Sequence, residues 1–190
     1  MKKTILFAMF VGGVFAANAQ KTSIITNETK GPASANVTLN VNLSPLQSIV
    51  VNNATVDLNY EDSIDYEQGV SATKAGHLTV FSTGDFKVSV MSNAATLTST
   101  NGGTSPIDRG DIKIKATSVT GGTGTALTFT AAQTAVGLTG APVEIGTGTA
   151  GTGNIDVVYT AAGGNTYLQK VNNNTLTTYS ADVTYSIIAK

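Results

Sequence analysis

The chain has 190 residues, no cysteine, one histidine and a formal net charge of −1. This length suits a single domain. The missing cysteine excludes a disulfide framework and a lipid-modified amino-terminal cysteine. Lys and Arg form no basic stripe, so the sequence gives no support for nucleic acid as a partner or for adhesion to anionic lipid.

The first residues predict export. Lys2 and Lys3 precede a short apolar run over residues 5–15, and the small-x-small triplet Ala-Asn-Ala at residues 17–19 suits signal peptidase. A membrane anchor is the alternative, but this run is shorter than the roughly 20 residues that cross a bilayer. We therefore expect a signal peptide over residues 1–19 and no membrane span in the mature chain. The expected location is the periplasm, outer surface or exterior of a bacterium.

A change of pattern follows an expected flexible leader over residues 20–35. Beyond it, aliphatic side chains alternate with Thr, Asn and Ser, which is the two-residue period of a half-buried strand. Two interpretations stay open: residues 36–43 form the first strand of the chain's own sandwich, or residues 35–43 form a strand donated to another copy. The strand-exchange candidates are Val37, Leu39, Val41 and Leu43.

The rest of the chain alternates between short strand patterns and turns rich in Gly and Asn. Residues 48–51 and 56–60 predict a hairpin, and an acidic loop with one helical turn near residues 64–69 follows. A second hairpin is predicted around Gly84-Asp85. Further short strands are predicted at residues 96–100, 111–118, 126–130, 154–160, 166–171 and 179–189.

No segment shows a sustained helical period, and turn signals recur about every ten residues. These features predict an all-β fold, an antiparallel β-sandwich of immunoglobulin-like or Greek-key type. A closed barrel is the alternative. We expect residues 36–190 to form this single domain.

The supply of catalytic side chains is poor. His77 is the one imidazole, and it starts a strand pattern, so we expect a surface or strand-edge histidine with no catalytic role. One histidine and no cysteine also supply transition-metal sites poorly. The sequence therefore predicts no enzyme activity, no catalytic residue and no cofactor.

Five carboxylates lie within eleven residues, and calcium favours several such oxygens on one loop. Their spacing matches no calcium-loop pattern, so a solvated acidic loop is the favoured interpretation. A carbohydrate- or calcium-dependent site that includes Tyr60 and Tyr66 stays as the alternative. The calcium candidates are Asp57, Glu61, Asp62, Asp65 and Glu67.

Two short motifs have ordinary explanations. Residues 146–151 fit the letters of a dinucleotide fingerprint, but a β-type segment follows where that motif needs a helix. We expect a low-complexity turn there. The tripeptide Arg109-Gly110-Asp111 spells an integrin-type motif at a turn, and tripeptides occur often by chance.

The carboxyl-terminal run YSADVTYSIIAK carries Tyr179 and Tyr185 in an alternating strand that reaches the last residues. It resembles the final strand of exported immunoglobulin-like β-sandwich surface subunits of the fimbrial-subunit and spore-coat-U-like kind. The chain differs from many of those subunits in having no cysteine pair. The resemblance implies a surface or filament subunit assembled with the help of a periplasmic chaperone.

These observations predict an exported, non-enzymatic structural or adhesive cell-surface protein, of the pilus or filament type, that assembles with itself or with other surface subunits through sheet edges. The alternative is a carbohydrate- or calcium-dependent binding module that uses residues 57–67. A hydrolase is third.

Overall fold

The computed structural model describes residues 34–121, 125–172 and 175–190. The predicted signal peptide and residues 20–33 of the predicted leader lie outside these ranges. The chain divides into two units, residues 1–41 and residues 42–190. Within the described part of the first unit, residues 34–41 form neither helix nor strand.

The second unit is an antiparallel β-sandwich, which confirms the predicted all-β fold. One short α-helix and one 3-10 turn (Arg109–Asp111) accompany the strands. In chain order the elements are β1 (Gln47–Val51), α1 (Ser63–Gln68), β2 (Val70–Ser82), β3 (Phe86–Met91), β4 (Thr96–Ser99), β5 (Ile107–Asp108), β6 (Lys113–Thr120), β7 (Phe129–Ala131), β8 (Val136–Gly137), β9 (Val143–Gly148), β10 (Gly151–Ala161), β11 (Tyr179–Ser180) and β12 (Thr184–Ala189).

Two main sheets form the sandwich. One has the strand order β1-β2-β10-β6-β8 and the other β12-β3-β9-β7, and a small sheet has the order β11-β4-β5. The chain passes from one main sheet to the other between β2 and β3, and at every step from β6 to β10. Apart from β1 and β2, neighbours within a main sheet are therefore not consecutive strands of the chain.

The core lies between the inner faces of the two main sheets. In β10, Ile155, Val157 and Tyr159 are buried at every second position, as alternation requires. Val88 and Val90 of β3 are fully buried in the same core cluster. Burying one such side chain is worth about 1.5–3 kcal/mol, so this alternation is a large part of what holds the sheets together.

Both predicted hairpins are wrong. The β2 and β3 strands belong to different sheets, so Gly84-Asp85 carries the chain across the sandwich and joins no ladder. The β1 strand pairs with β2, and residues 53–62 contain no strand. Alternation alone shows which side chains face inward, but both a hairpin and a crossover satisfy it.

Three local predictions had mixed outcomes. The helical turn near residues 64–69 is confirmed by α1. The strand expected at residues 166–171 is wrong, since those residues form turns. The glycine-rich run at residues 146–151 falls mostly within β9 and β10, where Gly148 leaves room for the Phe86 ring against the strand.

Candidate functional site

The segment with the clearest alternating pattern near the start of the described chain is not a strand. Residues 34–46 carry no assigned helix or strand, and the first strand of the chain begins at Gln47. The expectation that residues 36–43 form the first strand of the chain's own sandwich is therefore wrong. The exposed fractions are 91% for Val37, 84% for Leu39, 73% for Val41 and 89% for Leu43.

Four aliphatic side chains on alternating positions are therefore in water. Leaving each of them exposed forgoes about 1.5–3 kcal/mol relative to full burial. We call residues 36–43 the exposed segment. It has the composition of a half-buried strand but has no ladder, so its sequence suits a pairing that this single copy does not make.

The edges of the two main sheets differ in length. The strands β7 and β8 have three and two residues, and short edge strands limit pairing with other chains. The strands β1 and β12 have five and six residues, and each ends its sheet. These two longer edge strands contact each other at the same side of the sandwich.

The β12 strand has one paired side. It forms an antiparallel ladder with β3, from Thr184 opposite Met91 to Ala189 opposite Phe86. On its other side no strand pairs with it in the part of the chain that the structure describes. An edge strand of this kind presents backbone N–H and C=O groups that a further strand can bind.

Two of the usual protections against edge pairing are missing from these two strands. Neither the sequence QSIVV of β1 nor TYSIIA of β12 contains a charged residue or a proline. Apolar side chains are also uncovered there, since Val50 is 54% exposed and Ile188 is 46% exposed. We call β1 and β12 together the open edge.

Half-buried side chains lie beside the open edge. Ile49 of β1 and Tyr185 and Ile187 of β12 pack against the core but keep part of their surface in water. An added strand with aliphatic side chains on one face would bury more of this apolar surface. The open edge therefore offers both unpaired backbone groups and partly covered apolar side chains.

His77 is buried, with 1% of its surface exposed, so the expectation of a surface or strand-edge histidine is wrong. The ladder between β2 and β10 is irregular, because only Asp156 separates Ile155 from Val157 whereas three residues separate their partners, Leu78 and Lys74. Such a bulge re-aims side chains. His77 lies in it, out of step with the alternation along β2.

The imidazole joins a polar group inside the sandwich. His77 Nε2 lies 2.7 Å from the Tyr159 hydroxyl, and that hydroxyl lies 2.5 Å from the Tyr185 hydroxyl. Burial lowers the pKa of His77 below its ordinary value of 6.5, and the Lys74 ammonium lowers it further. No serine or threonine hydroxyl is bonded to this imidazole, so the described contacts are not those of a nucleophile and its base.

The acidic loop uses two of its carboxylates to begin α1. Asp62 Oδ1 accepts hydrogen bonds from the backbone N–H groups of Ile64 (2.8 Å) and Asp65 (3.0 Å). Asp65 Oδ2 in turn accepts from the N–H of Asp62 at 3.3 Å, which completes a capping box, and also from the N–H of Glu61 at 2.8 Å. Among the described residues there is no group of three or more His, Asp or Glu side chains that could hold a metal ion.

The tyrosines beside this loop pack on the core. Tyr60 donates a hydrogen bond to the Ala162 carbonyl oxygen at 2.6 Å, and its ring lies 5.2 Å from that of Tyr66 and 5.3 Å from that of Tyr167. Burial raises the pKa of Tyr60 to about 12. These rings fill space under α1, which is a structural role.

Arg109 is also engaged within the fold. Its guanidinium donates hydrogen bonds to the carbonyl oxygens of Ser92 (2.9 Å) and Ala94 (3.0 Å). The arginine side chain of the integrin-type tripeptide is thus hydrogen-bonded to the protein's own backbone. The dinucleotide-like run at residues 146–151 is followed by β10, which supplies no helix N-terminus for a phosphate.

A comparison with protein-family models and with curated protein sequences found no match. Within the described ranges, no helix is long and apolar enough to span a membrane.

Proposed function

We propose that this chain is an exported, non-enzymatic structural or adhesive protein of the cell surface, a filament-type subunit that assembles by strand addition. The exposed segment of one copy would bind beside β12 at the open edge of the next copy. The observation that carries the proposal is the coexistence of a strand-like sequence without a ladder and a six-residue edge strand without charged residues or proline.

The chemistry of the two surfaces is complementary. Backbone N–H and C=O groups of an added strand would form hydrogen bonds with the free side of β12. Such bonds give affinity without sequence preference. Val37, Leu39 and Val41 lie at every second position and would turn one common face toward the half-buried Tyr185 and Ile187. In this contact, two different surfaces of neighbouring copies bind each other. Repeating it generates a ring if the rotation from copy to copy closes, and an open filament if it does not.

The open edge would need a cover before assembly, because an unprotected edge promotes unwanted pairing. The periplasmic chaperone implied by the resemblance to fimbrial-type subunits would supply that cover. Export through the predicted signal peptide at residues 1–19 would place the subunit in the compartment where such chaperones act. We propose the periplasm as its first location and the outer surface or exterior as its last.

The experiment compares the mature chain, residues 20–190, with two double variants. Leu39→Asp with Val41→Asp puts two charges on the apolar face of the exposed segment. Thr38→Asp with Asn40→Asp, the matched control, puts the same charges on its polar face. Sedimentation velocity over a concentration series, together with electrophoresis in SDS without heating, measures assembly.

We expect the wild-type chain and the polar-face variant to form concentration-dependent oligomers. The apolar-face variant should remain monomeric with an unchanged thermal midpoint. Equal assembly by all three chains would refute strand addition through these side chains. A wild-type chain that stays monomeric at its highest soluble concentration would refute self-assembly and favour a segment that folds back on its own copy.

A further inference from the structure

The buried polar group His77–Tyr159–Tyr185 joins the two main sheets. His77 lies on β2 and Tyr159 on β10, both in the five-stranded sheet, whereas Tyr185 lies on β12 in the other sheet. The hydroxyl–hydroxyl contact of 2.5 Å between Tyr159 and Tyr185 therefore crosses the sandwich. It joins the carboxyl-terminal edge strand to the opposite sheet.

One nitrogen of the imidazole has a hydrogen-bond partner and the other has none. Its Nε2 lies 2.7 Å from the Tyr159 hydroxyl, and its Nδ1 is buried without any hydrogen-bond partner. When the neutral ring carries its proton on Nε2, the Nε2–H group donates a hydrogen bond to the Tyr159 hydroxyl. Only the lone pair on Nδ1 is then without a partner. A second proton would create a buried N–H without an acceptor and a buried charge without a counter-ion, and both are costly.

Among the described residues, no carboxylate is hydrogen-bonded to the imidazole. From β10, the carboxylate of Asp156 accepts from the Gly76 N–H at 2.6 Å and from the Ser118 hydroxyl at 2.6 Å. From β2 itself, Lys74 adds a like charge. The strands β1 and β12 contribute no Asp, Glu, Lys or Arg, and Tyr185 is the one titratable side chain of β12.

We propose that His77, Tyr159 and Tyr185 form an acid-sensitive latch that holds β12 against the opposite sheet and releases it when the imidazole takes up a proton. The His77 ring packs edge-on against both tyrosine rings, with ring centroids 5.5 Å apart for Tyr159 and 5.7 Å apart for Tyr185. A charged imidazole in this contact must either move toward water or push the tyrosines apart. Of the three strands that carry these side chains, β2, β10 and β12, only β12 has a partner on one side alone, so it is the one that moves most readily.

The sign of the pH dependence follows from linkage. The unfolded chain takes up the His77 proton near pH 6.5, whereas the folded chain resists it to lower pH. The contribution of His77 to the free energy of unfolding is therefore fully present above about pH 6.5, and it falls as the pH drops below that value. While the folded imidazole stays neutral, the unfolding equilibrium constant rises by up to about tenfold per pH unit. Hydrogen bonds from the Gly76 N–H and the Ser118 hydroxyl lower the pKa of Asp156 below its ordinary value, so this carboxylate stays ionised throughout the interval from about pH 6.5 to about pH 4.5.

The single histidine makes the test direct. In the mature wild-type chain, His77 gives the only imidazole signals, so NMR from pH 8 to pH 4.5 reports its protonation without assignment by mutation. Hydrogen exchange, corrected for intrinsic rates, is measured in parallel for β12 and for the other edge of the same sheet, β7. Urea unfolding over the same range compares wild type with His77→Gln, which keeps a polar amide but does not titrate.

We expect the folded imidazole to remain neutral well below pH 6.5, and β12 to lose protection between pH 6.5 and 4.5 while β7 keeps it. His77→Gln should remove most of the pH dependence of unfolding in that interval. Tyr179→Phe, which removes a hydroxyl bonded to the Lys170 carbonyl oxygen elsewhere in the fold, should change none of these readings.

An imidazole that titrates near pH 6.5 in the folded chain would overturn the proposal. Equal loss of protection in β12 and β7 would overturn it too. If His77→Gln does not fold, the wild-type imidazole titration and the exchange of β12 still decide the matter. The same readings in Leu39→Asp with Val41→Asp, the variant expected to stay monomeric, exclude any contribution from an added strand, so the latch is tested separately from strand addition.

Discussion

The β10 strand and the exposed segment have the same kind of sequence and opposite surroundings. Both alternate apolar with polar residues, with Ile155, Val157 and Tyr159 at every second position of β10 and Val37, Leu39 and Val41 at every second position of the exposed segment. The β10 strand has ladders on both sides, and Val157 is fully buried. Val41 of the exposed segment has 73% of its surface in water and no ladder.

This difference teaches that an alternating pattern specifies a capacity to pair but does not specify the partner. In β10 the capacity is fulfilled by strands of the same chain, because β2 and β6 flank it. In the exposed segment it is not fulfilled within residues 34–46, where no strand occurs. The physical consequence is that the same substitution should greatly lower monomer stability in β10 and leave it unchanged in the exposed segment.

The largest expected effect comes from placing a charge in each region. Val157→Asp puts a carboxylate in a fully buried site without a partner, and should cost about 4 kcal/mol or more, enough to unfold many domains of this size. Val41→Asp, the matched change, should leave the urea midpoint of the monomer unchanged. A large loss of monomer stability in Val41→Asp would contradict the exposure of this segment.

A smaller effect is expected from adding one methyl group to a paired strand. In Gly148→Ala, the new Cβ would lie 2.7 Å from the Thr128 carbonyl oxygen and against the Phe86 ring, so we expect a loss of about 1–3 kcal/mol in urea unfolding. Gly84→Ala is the control, because no atom lies within 4 Å of its Cβ position. Equal losses in both variants would show that strand contact is not the cause.

Residues 53–62 lie between the two extremes, since they have no strand but their apolar side chains pack on the core. Tyr60→Phe removes the hydrogen bond to the Ala162 carbonyl oxygen and should cost about 1 kcal/mol in urea unfolding. A cost near zero would mean that this hydrogen bond adds no net stability.

The same tyrosine contributes a pH dependence at the alkaline end. The folded pKa of Tyr60 is about 12, above the ordinary value near 10, because burial disfavours the phenolate. Its contribution is therefore complete below pH 10 and is lost as the pH rises toward 12. We expect the fall of the urea midpoint above pH 10 to be shallower in Tyr60→Phe than in wild type.

The smallest effect is expected in the acidic loop. Asp62→Ala should cost about 1 kcal/mol, because it removes the cap of α1, whereas Asp62→Asn keeps a capping oxygen and should be nearly neutral. Adding calcium should leave the thermal midpoint unchanged in all three chains. A calcium-dependent rise that Asp62→Asn and Asp65→Asn abolish would instead favour the binding module.

The sequence predicted the fold class because alternation and frequent turns are local signals. The inward face of the last strand was also predictable, since Tyr185 and Ile187 lie two residues apart in β12 and both are half-buried against the core. The sheet partners were not, because the crossover from β2 to β3 and a hairpin have the same local pattern.

The surroundings of the candidate site were predictable only in part. The apolar alternation of the exposed segment was visible, but its lack of a ladder was not. His77 was misplaced because the bulge opposite Asp156 breaks the alternation locally, and a bulge has no fixed sequence signature. Gly76, with φ +56, was a signal for this irregularity, since a glycine inside a strand pattern often marks a bulge.

The central claim is that the exposed segment of one copy binds beside β12 of another. The chain contains no cysteine, so a disulfide can form only between introduced thiols. Mixing an Asn40→Cys chain with an Ile188→Cys chain under mild oxidation should give the mixed disulfide dimer as the main product. Asn40→Cys mixed with Thr130→Cys, on the β7 edge, should give little. Equal yields from both mixtures, or none from the first, would contradict the account.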